Sequence, residues 1–341
     1  MIPLEWLAAL PDAAWQQHAP ADWTIVVALA GVLLLAAPRG VPGRALGVVA
    51  LLPLFVVRPL PPAPGAFRMT VLDVGQGLAM VVETHRHALL YDTGPRYTDD
   101  ADAGGRIVAP YLRAAGIERL SALIVTHQDI DHSGGALSVM QVVPVGWLAS
   151  SLPADHAINL RRSADGGLVL RCEAGQRWTW DGVRFEMLQP SPDDYAMPRL
   201  KPNDLSCVVR IESEYGSALL TGDLEARGEL ELVRRDEGSL KSDVLVVPHH
   251  GSRTSSTPAF IAAVSPTVAV FTPGYRNRFG HPRPDIVARY TGAGIRTYRT
   301  DYDGALTFVF APGASVAPRV EREHDRRYWR DAPMRDAAVV D

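Results

Sequence analysis

The chain has 341 residues and a formal net charge of −4, so its length suits one large domain or a domain with an appendage. This slightly acidic balance argues against a protein that is basic over its whole surface, as many nucleic-acid-binding proteins are. Cys172 and Cys207 are too few for a disulfide framework or a thiolate metal site. They can form a single disulfide outside the cytoplasm, but the sequence does not decide whether they pair.

Two strongly apolar runs lie near the N-terminus, at residues 23–37 and 45–57. Each is shorter than the roughly 20 residues that a spanning helix prefers, but flanking residues can extend both. We predict that residues 1–58 form a membrane helical hairpin, with a pair of buried core helices as the alternative. Arg39 and Arg44 lie in the turn between the runs. The positive-inside rule then places this turn in the cytoplasm and the rest of the chain on the outer side.

A proline-rich linker at residues 59–66 marks the predicted domain boundary. Apolar runs that end in turn residues predict a strand-rich α/β domain over residues 67–312. The charged residues 313–341 are predicted to form a flexible tail. The predicted strands lie at residues 69–74, 79–83, 88–91, 120–125, 142–150, 183–189, 207–212, 217–221, 243–247, 268–271, 296–300 and 305–310. The predicted helices lie at residues 107–115 and 284–293, and residues 161–182 are expected to form a β-meander.

The densest cluster of potential metal ligands follows the predicted strand at 120–125. His127, Asp129, Asp131 and His132 lie within one short turn, which ends in a Gly-Gly pair. Open α/β sheets place ligands at the carboxyl ends of their strands. A turn at this position can therefore aim all four side chains at one or two metal ions. A solvated loop is the alternative, but a His/Asp cluster is an unusual way to build one.

Other predicted strands end in the same residue types. Asp92 follows the strand at 88–91, Asp223 the strand at 217–221, and His249 and His250 the strand at 243–247. Two divalent ions held by imidazole and carboxylate groups are a common arrangement for metal-assisted hydrolysis. A carboxylate that bridges the ions has to come from a separate strand, and Asp223 suits that role. The pattern therefore predicts a two-metal hydrolase.

Taken together, these motifs resemble those of the metallo-β-lactamase fold, and more narrowly the C-terminal domain of the ComEC family of competence proteins. The motifs that carry the resemblance are Leu72-Asp73-Val74-Gly75-Gln76-Gly77, Asp92-Thr93-Gly94, Thr126-His127-x-Asp129-x-Asp131-His132-x-Gly134-Gly135, Asn203-Asp204-x-Ser206-Cys207-Val208, Leu219-Leu220-Thr221-Gly222-Asp223, His249-His250-Gly251-Ser252 and Asn277-Arg278-Phe279-Gly280-His281-Pro282. The resemblance implies an αββα sandwich. The apolar hairpin resembles the end of that family's membrane channel domain, so the chain would be a piece of a longer protein.

The resemblance also implies a function in natural transformation. Channels of this family carry one DNA strand inward, and their lactamase-like domain is thought to degrade the other strand on the outer side of the cytoplasmic membrane. The orientation inferred from Arg39 and Arg44 agrees with this side. The implied partners are DNA, bound without sequence preference, the membrane, and the remainder of the channel and of the uptake machinery.

We expect His127 and Asp129 to hold the first ion. The broad family usually carries His at the position of Asp129, and a carboxylate there favours Mn²⁺ or Mg²⁺ over Zn²⁺, with Mn²⁺ as our first choice. The sequence has no clear His in the remaining ligand position that the family uses before Asp223. Asn203 or Asp204 would substitute for it.

We expect Asp131 and His132 to hold the second ion together with one residue of the His249–His250 pair. Of these two imidazoles, His250 is favoured as the ligand. Asp223 would then bridge the two ions.

Two further residues are expected to assist without binding metal. Asp92 would orient the ligand turn through hydrogen bonds. His281 would bind the scissile phosphate or protonate the leaving oxygen. A solvated loop side chain is the alternative for His281.

A basic segment inside this acidic chain supports a polyanionic substrate. Between residues 244 and 300 the charged residues are seven arginines and one aspartate, as a surface that follows a phosphate backbone would need. The residues expected to contact DNA are Ser252, Arg253, Arg276, Arg278 and Arg283. Arginines placed for solubility are the alternative. A small-molecule phosphodiesterase or esterase on the same fold, and a non-catalytic DNA-binding module of the channel, are the alternative functions.

Overall fold

The computed structural model describes Trp6, residues 17–197 and residues 199–325. Residues 1–5 and 7–16 of the predicted hairpin lie outside the described residues. Residues 326–341 of the predicted tail do so as well. The chain divides into two compact units. One comprises Met1–Leu60 with Pro110–Glu118, and the other comprises Pro61–Ala109 with Arg119–Asp341.

The first unit contains the apolar helices. They are α1 (Asp22–Ala36), α2 (Leu46–Leu51) and α3 (Pro53–Val56). α1 and α2 approach closely, because a Cβ atom added at Gly31 would lie 2.7 Å from the carbonyl oxygen of Gly47. Within residues 17–197 and 199–325, no helix combines the length and the apolar character needed to cross a membrane. The membrane hairpin over residues 1–58 therefore stays a prediction.

The second unit is a sandwich of two mixed sheets with helices around them, which confirms the predicted α/β class. The strands are β1 (Phe67–Val71), β2 (Met80–Glu83), β3 (Ala88–Tyr91), β4 (Arg96–Thr98), β5 (Ala101–Asp102), β6 (Leu120–Val125), β7 (Val145–Ser150), β8 (Leu168–Arg171), β9 (Arg177–Trp180), β10 (Val183–Gln189), β11 (Val208–Ser213), β12 (Gly216–Leu220), β13 (Val244–Val246), β14 (Val268–Phe271), β15 (Arg296–Arg299), β16 (Leu306–Phe310) and β17 (Arg319–Val320).

The larger sheet has eight strands in the order β17-β16-β1-β2-β3-β6-β7-β8, and the smaller has seven in the order β15-β14-β13-β12-β11-β10-β9. Strands β3, β6, β7 and β8 are parallel to one another, as are β12, β13, β14 and β15. Buried side chains from both sheets, such as Met69 and Phe185, fill one core. Because parallel neighbours end at the same edge of a sheet, each sheet gathers the residues that follow its parallel strands at one edge.

The remaining helices are α4 (Ala109–Ala114), α5 (Ile130–Ser133), α6 (Ala136–Val142), α7 (Ala157–Ala164), α8 (Ala226–Leu240), α9 (Pro258–Val264), α10 (Pro284–Gly292), α11 (Thr300–Asp303) and α12 (Glu321–His324). A π-helix, Gly104–Val108, precedes α4. Helices α8 and α9 are not among the elements predicted from the sequence. They add buried residues such as Leu232 and Phe260 to the core cluster of the smaller sheet.

Two segments differ from the sequence prediction. The expected meander over residues 161–182 is wrong, because its first residues belong to α7, β8 joins the larger sheet and β9 joins the smaller sheet. Apolar periodicity identifies a strand but does not say which sheet the strand joins. The tail prediction also begins too early, because β17 pairs with β16 and α12 follows it. Ordered structure therefore continues past residue 312.

Candidate metal centre

The candidate site lies where strand ends of both sheets meet. Asp92 follows β3 and His127 follows β6, while Asp223 and the His249–His250 pair follow β12 and β13. Asp92, His249 and His250 have φ values of 57°, 52° and 52°. Residues other than glycine rarely adopt this left-handed backbone conformation, which costs of order 1–3 kcal/mol. Residues that are held in it cluster at functional sites.

His132 lies at the centre of the group. Its Nε2 atom is 3.0 Å from Oδ1 of Asp223 and 3.2 Å from Nε2 of His250. Its Nδ1 atom lies 2.7 Å from Oδ2 of Asp92, whose carboxylate also accepts hydrogen bonds from the backbone N–H and the hydroxyl of Thr126. Asp92 thereby fixes the ring of His132 so that Nε2 faces the other imidazoles.

His127 reaches the site from the other end of the turn. Its Nε2 atom lies 3.6 Å from Oδ2 of Asp129 and 3.9 Å from Oδ2 of Asp223, and its Nδ1 atom lies 2.9 Å from the hydroxyl of Thr126. The buried Nε2 atom has no hydrogen-bond partner among the described residues. An unpartnered imidazole nitrogen that faces two carboxylates is what a metal ligand requires.

His250 and Asp131 complete the cluster. Nε2 of His250 lies 3.5 Å from Oδ2 of Asp131 and 3.5 Å from Oδ1 of Asp223. The Nδ1 atom of His250 lies 2.8 Å from the hydroxyl of Thr272, which fixes the ring. His249 is more peripheral, since its Nδ1 atom meets the hydroxyl of Thr254 at 2.9 Å and its Nε2 atom is 3.7 Å from Asp223.

There are two sets of potential ligand atoms, and within each set all atoms lie within 4.8 Å of one another. One comprises His127, His132 and Asp223, and the other comprises Asp131, His132 and His250. Oδ1 of Asp223 is buried and has no hydrogen-bond partner among the residues that the structure describes, although Nε2 of His132 lies 3.0 Å from it. Nitrogen and oxygen atoms that converge in this way, with Nε2 of His127 and Oδ1 of Asp223 left without hydrogen bonds among the described residues, suit divalent metal ions.

Electrostatics at this site keep the carboxylates charged. Burial alone would raise the pKa of Asp223, but the imidazoles of His132 and His250 outweigh it and hold the pKa well below its usual range. Burial opposes ionisation of Asp131 as well, and the hydrogen bond and charge of His250 with the charge of His132 lower its pKa. Both carboxylates are therefore available as anionic ligands.

The glycines of the motifs allow the turn to pack tightly. A Cβ atom added at Gly77 would lie 2.2 Å from the carbonyl oxygen of Asp131, which accepts a hydrogen bond from the N–H of Leu78. A Cβ atom at Gly135 would lie 2.5 Å from the carbonyl oxygen of Thr93. The Gly-Gln-Gly and Gly-Gly motifs therefore hold the ligand turn against the larger sheet.

The loop expected to supply the missing ligand is arranged differently. Asn203 and Asp204 lie in the turn Pro202–Leu205. Burial and the nearby charge of Glu225 raise the pKa of Asp204, and a Cβ atom added at Gly228 in α8 would lie 3.3 Å from its Oδ1 atom. Asp204 thus faces the start of α8 and belongs to neither ligand set. Ser206, which the ligand predictions omit, contacts the site, since its hydroxyl accepts the N–H of Asp223 at 3.0 Å.

His281 lies beside the His249 ring, with the ring centres 5.7 Å apart. The side chain of Asn277 holds the backbone of His281: its amide group donates to the carbonyl oxygen of His281, and its Oδ1 atom accepts the N–H of His281. Burial lowers the pKa of His281 to about 4, with a further contribution from the charges of His250 and His249. Its buried Nδ1 atom has no hydrogen-bond partner in the part of the chain that the structure describes. A neutral imidazole here can donate one hydrogen bond to a ligand.

The arginines expected to contact DNA are not equivalent. The guanidinium of Arg253 pairs with Asp285 at 3.1 Å, and Ser252 is buried and accepts hydrogen bonds from Thr254. By contrast, Arg276 and Arg278 lie over the rings of Tyr275 and Phe279.

The segment that contains these arginines is tied to the His249–His250 turn. The backbone N–H of Arg283 donates to the carbonyl oxygen of Gly251 at 3.0 Å. Among the described residues, no carboxylate pairs with Arg276, Arg278 or Arg283, so uncompensated positive charge lies on the segment that is hydrogen-bonded to the His249–His250 turn.

Comparison with known proteins agrees with this architecture. The family model described as the metallo-beta-lactamase superfamily matches residues 72–275. The chain belongs to this superfamily. Membership implies a hydrolase fold that binds divalent metal, and the two ligand sets described above are candidates for that role.

Curated relatives of this metallo-β-lactamase chain include competence proteins. Competence protein ComA of Neisseria gonorrhoeae is 37% identical over 97% of this chain and 44% of its own length. ComE operon protein 3 of Bacillus subtilis is 30% identical over 70% of this chain and 32% of its own length. Uncharacterized protein YcaI of Escherichia coli is 33% identical over 80% of this chain and 34% of its own length. The chain thus spans less than half the length of these relatives.

Proposed function

We propose that this chain is a metal-dependent DNA hydrolase that acts as the nuclease domain of a DNA uptake channel. The proposal rests on one arrangement, in which the candidate ligands lie next to the arginine segment in the fold. Ligand atoms of His127, His132, Asp223, Asp131 and His250 converge within two small sets, and the arginine segment 276–283 is hydrogen-bonded to the turn that supplies His250.

When bound, divalent ions would supply Lewis-acid stabilisation of a phosphate and a nucleophile active near neutral pH. The chain's own residues hold and orient this centre. Asp92 fixes the ring of His132 through a 2.7 Å contact, and Thr272 fixes that of His250. As a neutral imidazole, His281 would donate a hydrogen bond to a phosphate oxygen or to the leaving oxygen.

The donor set supports our proposal for the identity of the metal. Besides the three imidazoles, Asp129, Asp131 and Asp223 bring carboxylate oxygens to the cluster. Carboxylates suit hard ions such as Mn²⁺ and Mg²⁺, whereas an imidazole-rich set suits Zn²⁺. We propose Mn²⁺ as the preferred ion.

Arg276 and Arg278 would contact the phosphate backbone without reading sequence. Their guanidinium groups lie 5.2 Å and 4.9 Å from the ring centres of Tyr275 and Phe279. Neither is neutralised by a carboxylate among the described residues. Arg253, which pairs with Asp285, would contribute less.

We further propose that the hydrolase domain faces the outer side of the cytoplasmic membrane, next to the remainder of the competence channel. Relatives of the chain include competence proteins, and a disulfide joins Cys172 to Cys207. Disulfides persist in oxidising compartments. Exposed apolar side chains on α1, such as Leu29 at 60% and Leu33 at 73%, support contact of this helix with membrane or with channel helices.

The test is cleavage of linear single-stranded and double-stranded DNA by the purified chain with Mn²⁺, Mg²⁺ or Zn²⁺. We expect cleavage, fastest with Mn²⁺, that Asp131→Ala reduces by more than the roughly 100-fold loss typical of residues that only support ligands. Asp165→Ala is the matched control, because Asp165 is an exposed carboxylate paired with Arg161 on α7.

Each alternative function predicts a different result. Salt-sensitive DNA binding without cleavage by any metal would indicate a non-catalytic DNA-binding module. Cleavage of small phosphodiesters but not of DNA would indicate a small-molecule hydrolase. If Asp131→Ala cleaves as well as the parent chain, the proposed centre is wrong.

A further inference from the structure

A cavity of about 610 Å³ adjoins the metal centre, and His127 and Gln128 form part of its wall. The rest of the wall comes from the end of β7 and the residues after it, from Asn159 of α7, from β8 and from the segment that carries Tyr195, Leu200 and Leu205. The volume lies within the range of roughly 300–1,000 Å³ that ligand pockets occupy. The proposed metal chemistry does not use this cavity.

Most polar side chains around the cavity are engaged elsewhere. The hydroxyl of Ser150 donates to Oδ1 of Asn159, and the amide group of Asn159 donates to the carbonyl oxygens of Leu152 and Pro153. Ser151 donates to the carbonyl oxygen of Thr126. These bonds turn several polar atoms toward the backbone, so apolar atoms form the larger part of the cavity surface.

A flat cationic platform lies at the edge of this apolar surface. The guanidinium of Arg171 lies over the ring of Tyr195, 4.3 Å from its centre. The hydroxyl of Tyr195 donates to the carbonyl oxygen of Cys172 at 2.7 Å, which fixes the ring. Guanidinium and aromatic planes are surfaces on which unpaired nucleobases stack.

The charge of this cavity favours a base over a phosphate as its ligand. Arg171 provides its cation, and that cation is already paired with Glu173. A phosphate would therefore find little compensation inside the cavity, whereas a flat and uncharged ring would bury apolar surface and stack. Leu152, Val169, Leu170, Leu200 and Leu205 supply that apolar wall.

We propose that this cavity binds the unpaired nucleobase next to the scissile phosphate, with the Arg171–Tyr195 pair as its stacking platform. The proposal rests on the nuclease function proposed above. His127 is both a candidate metal ligand and a wall of the cavity, so a nucleotide whose phosphate lies at the metals has its base within reach. A base can enter only when it is not paired to a complementary strand, so the preferred substrate is single-stranded DNA or a frayed end.

The test compares binding of two short single-stranded oligonucleotides of equal length and charge. One carries thymine bases, the other carries abasic sites throughout, and both have phosphorothioate linkages that resist hydrolysis. With Mn²⁺ present, we expect the chain to bind the thymine oligonucleotide roughly 5- to 150-fold more tightly, the contribution of one stacked base. Fluorescence anisotropy measures both dissociation constants.

Variants assign this preference to the cavity. Arg171→Ala and Tyr195→Ala are expected to reduce it several-fold, whereas Tyr195→Phe, which retains the ring, keeps most of it. Because the Arg171 side chain is about half exposed, Arg171→Ala should leave folding intact even if Tyr195→Ala does not. Arg177→Ala is the matched control, since this exposed arginine on β9 pairs with Glu186 and should leave the preference unchanged.

Hydrolysis of bis(4-nitrophenyl) phosphate separates this proposal from the function on which it rests. A wild-type chain that shows metal-dependent hydrolysis of this diester but binds both oligonucleotides equally overturns the cavity assignment alone. If Arg171→Ala and Arg177→Ala lose the preference for the thymine oligonucleotide equally, the cavity assignment alone is again overturned. A wild-type chain that neither hydrolyses the diester nor binds DNA overturns both proposals.

Discussion

The Nδ1 atom of His132 lies 2.7 Å from Oδ2 of Asp92, and both side chains are fully buried. The same carboxylate accepts the N–H and the hydroxyl of Thr126. One acidic side chain thus connects the end of β3 to both ends of the ligand turn. Since His132 belongs to both candidate ligand sets, the orientation that Asp92 imposes would affect both candidate metal positions.

We predict that Asp92→Asn weakens metal binding by about 10- to 100-fold, the usual effect of removing a carboxylate behind a ligating imidazole. Isothermal titration calorimetry with Mn²⁺ measures the change. Asp102→Asn serves as the control, because Asp102 is a carboxylate that accepts hydrogen bonds from Ser138 and Gly105 away from the ligands. Equal affinities for Asp92→Asn and the parent chain would contradict the orienting role.

We predict that His250→Ala weakens metal binding more than His249→Ala, by at least about tenfold. Nε2 of His250 belongs to a ligand set with Asp131 and His132, whereas His249 meets Thr254 through Nδ1 and lies farther from the carboxylates. Metal content after dialysis, measured by mass spectrometry, checks this order. The reverse order would make His249 the ligand.

We predict that Arg276→Ala and Arg278→Ala each reduce the salt dependence of DNA binding by about one phosphate contact. Arg253→Ala is expected to change it less, because the guanidinium of Arg253 already pairs with Asp285. Binding constants measured over a series of salt concentrations give the slopes. Identical slopes for all three variants and the parent chain would remove the arginine segment from the DNA contact.

We predict that the double variant Cys172→Ala/Cys207→Ala loses about 4 kcal/mol of unfolding free energy, the chain-entropy effect of a disulfide that closes a loop of this length. The two cysteines are 35 residues apart in sequence, and both are buried. Urea denaturation with EDTA present measures the change. If the parent chain shows no such loss after reduction by dithiothreitol, the disulfide does not stabilise the fold.

We predict that Glu229 makes stability depend on pH. Burial raises its pKa to about 7, although the N–H groups of Ser256 and Thr257 donate to the carboxylate and Arg289 lies nearby. An acid whose folded-state pKa is raised stabilises the fold fully below its unfolded-state pKa, and this contribution is lost as the pH rises through the folded-state pKa.

The Glu229→Gln variant isolates this effect from other titrating groups. Between about pH 4.5 and pH 8, the unfolding free energy of the parent chain should fall relative to that of Glu229→Gln by as much as about 3 kcal/mol. Denaturation curves at several pH values, recorded with EDTA, measure the difference. A difference that stays constant with pH would show that Glu229 does not titrate in this range.

Much of this centre could be anticipated from local sequence. The apolar run Leu120–Val125 forms β6 over the predicted residues, and the strand Val183–Gln189 also matches its prediction. Residues that follow such strands must emerge at the sheet edge, so the positions of Asp92, His127 and Asp223 follow from the order of apolar and polar residues.

The helices, and the sheet to which each strand belongs, were harder to predict from the sequence. α8 has an amphipathic pattern, but its first turn also accommodates Asp204, which the family resemblance suggested as a ligand. β8 and β9 are neighbours in sequence and belong to different sheets. Apolar periodicity reports burial of one face, and it carries no information about the partner that buries it.

By itself, the sequence determined the α/β class, the strand ends that carry the candidate ligands and the chemical types of those residues, because each depends on neighbouring residues. Only the tertiary structure decided that His132 faces both Asp223 and His250, that Asp204 turns away, and that a cavity adjoins His127. These relationships join segments up to about 120 residues apart, and sequence spacing does not fix distances between segments that meet only when the two sheets pack.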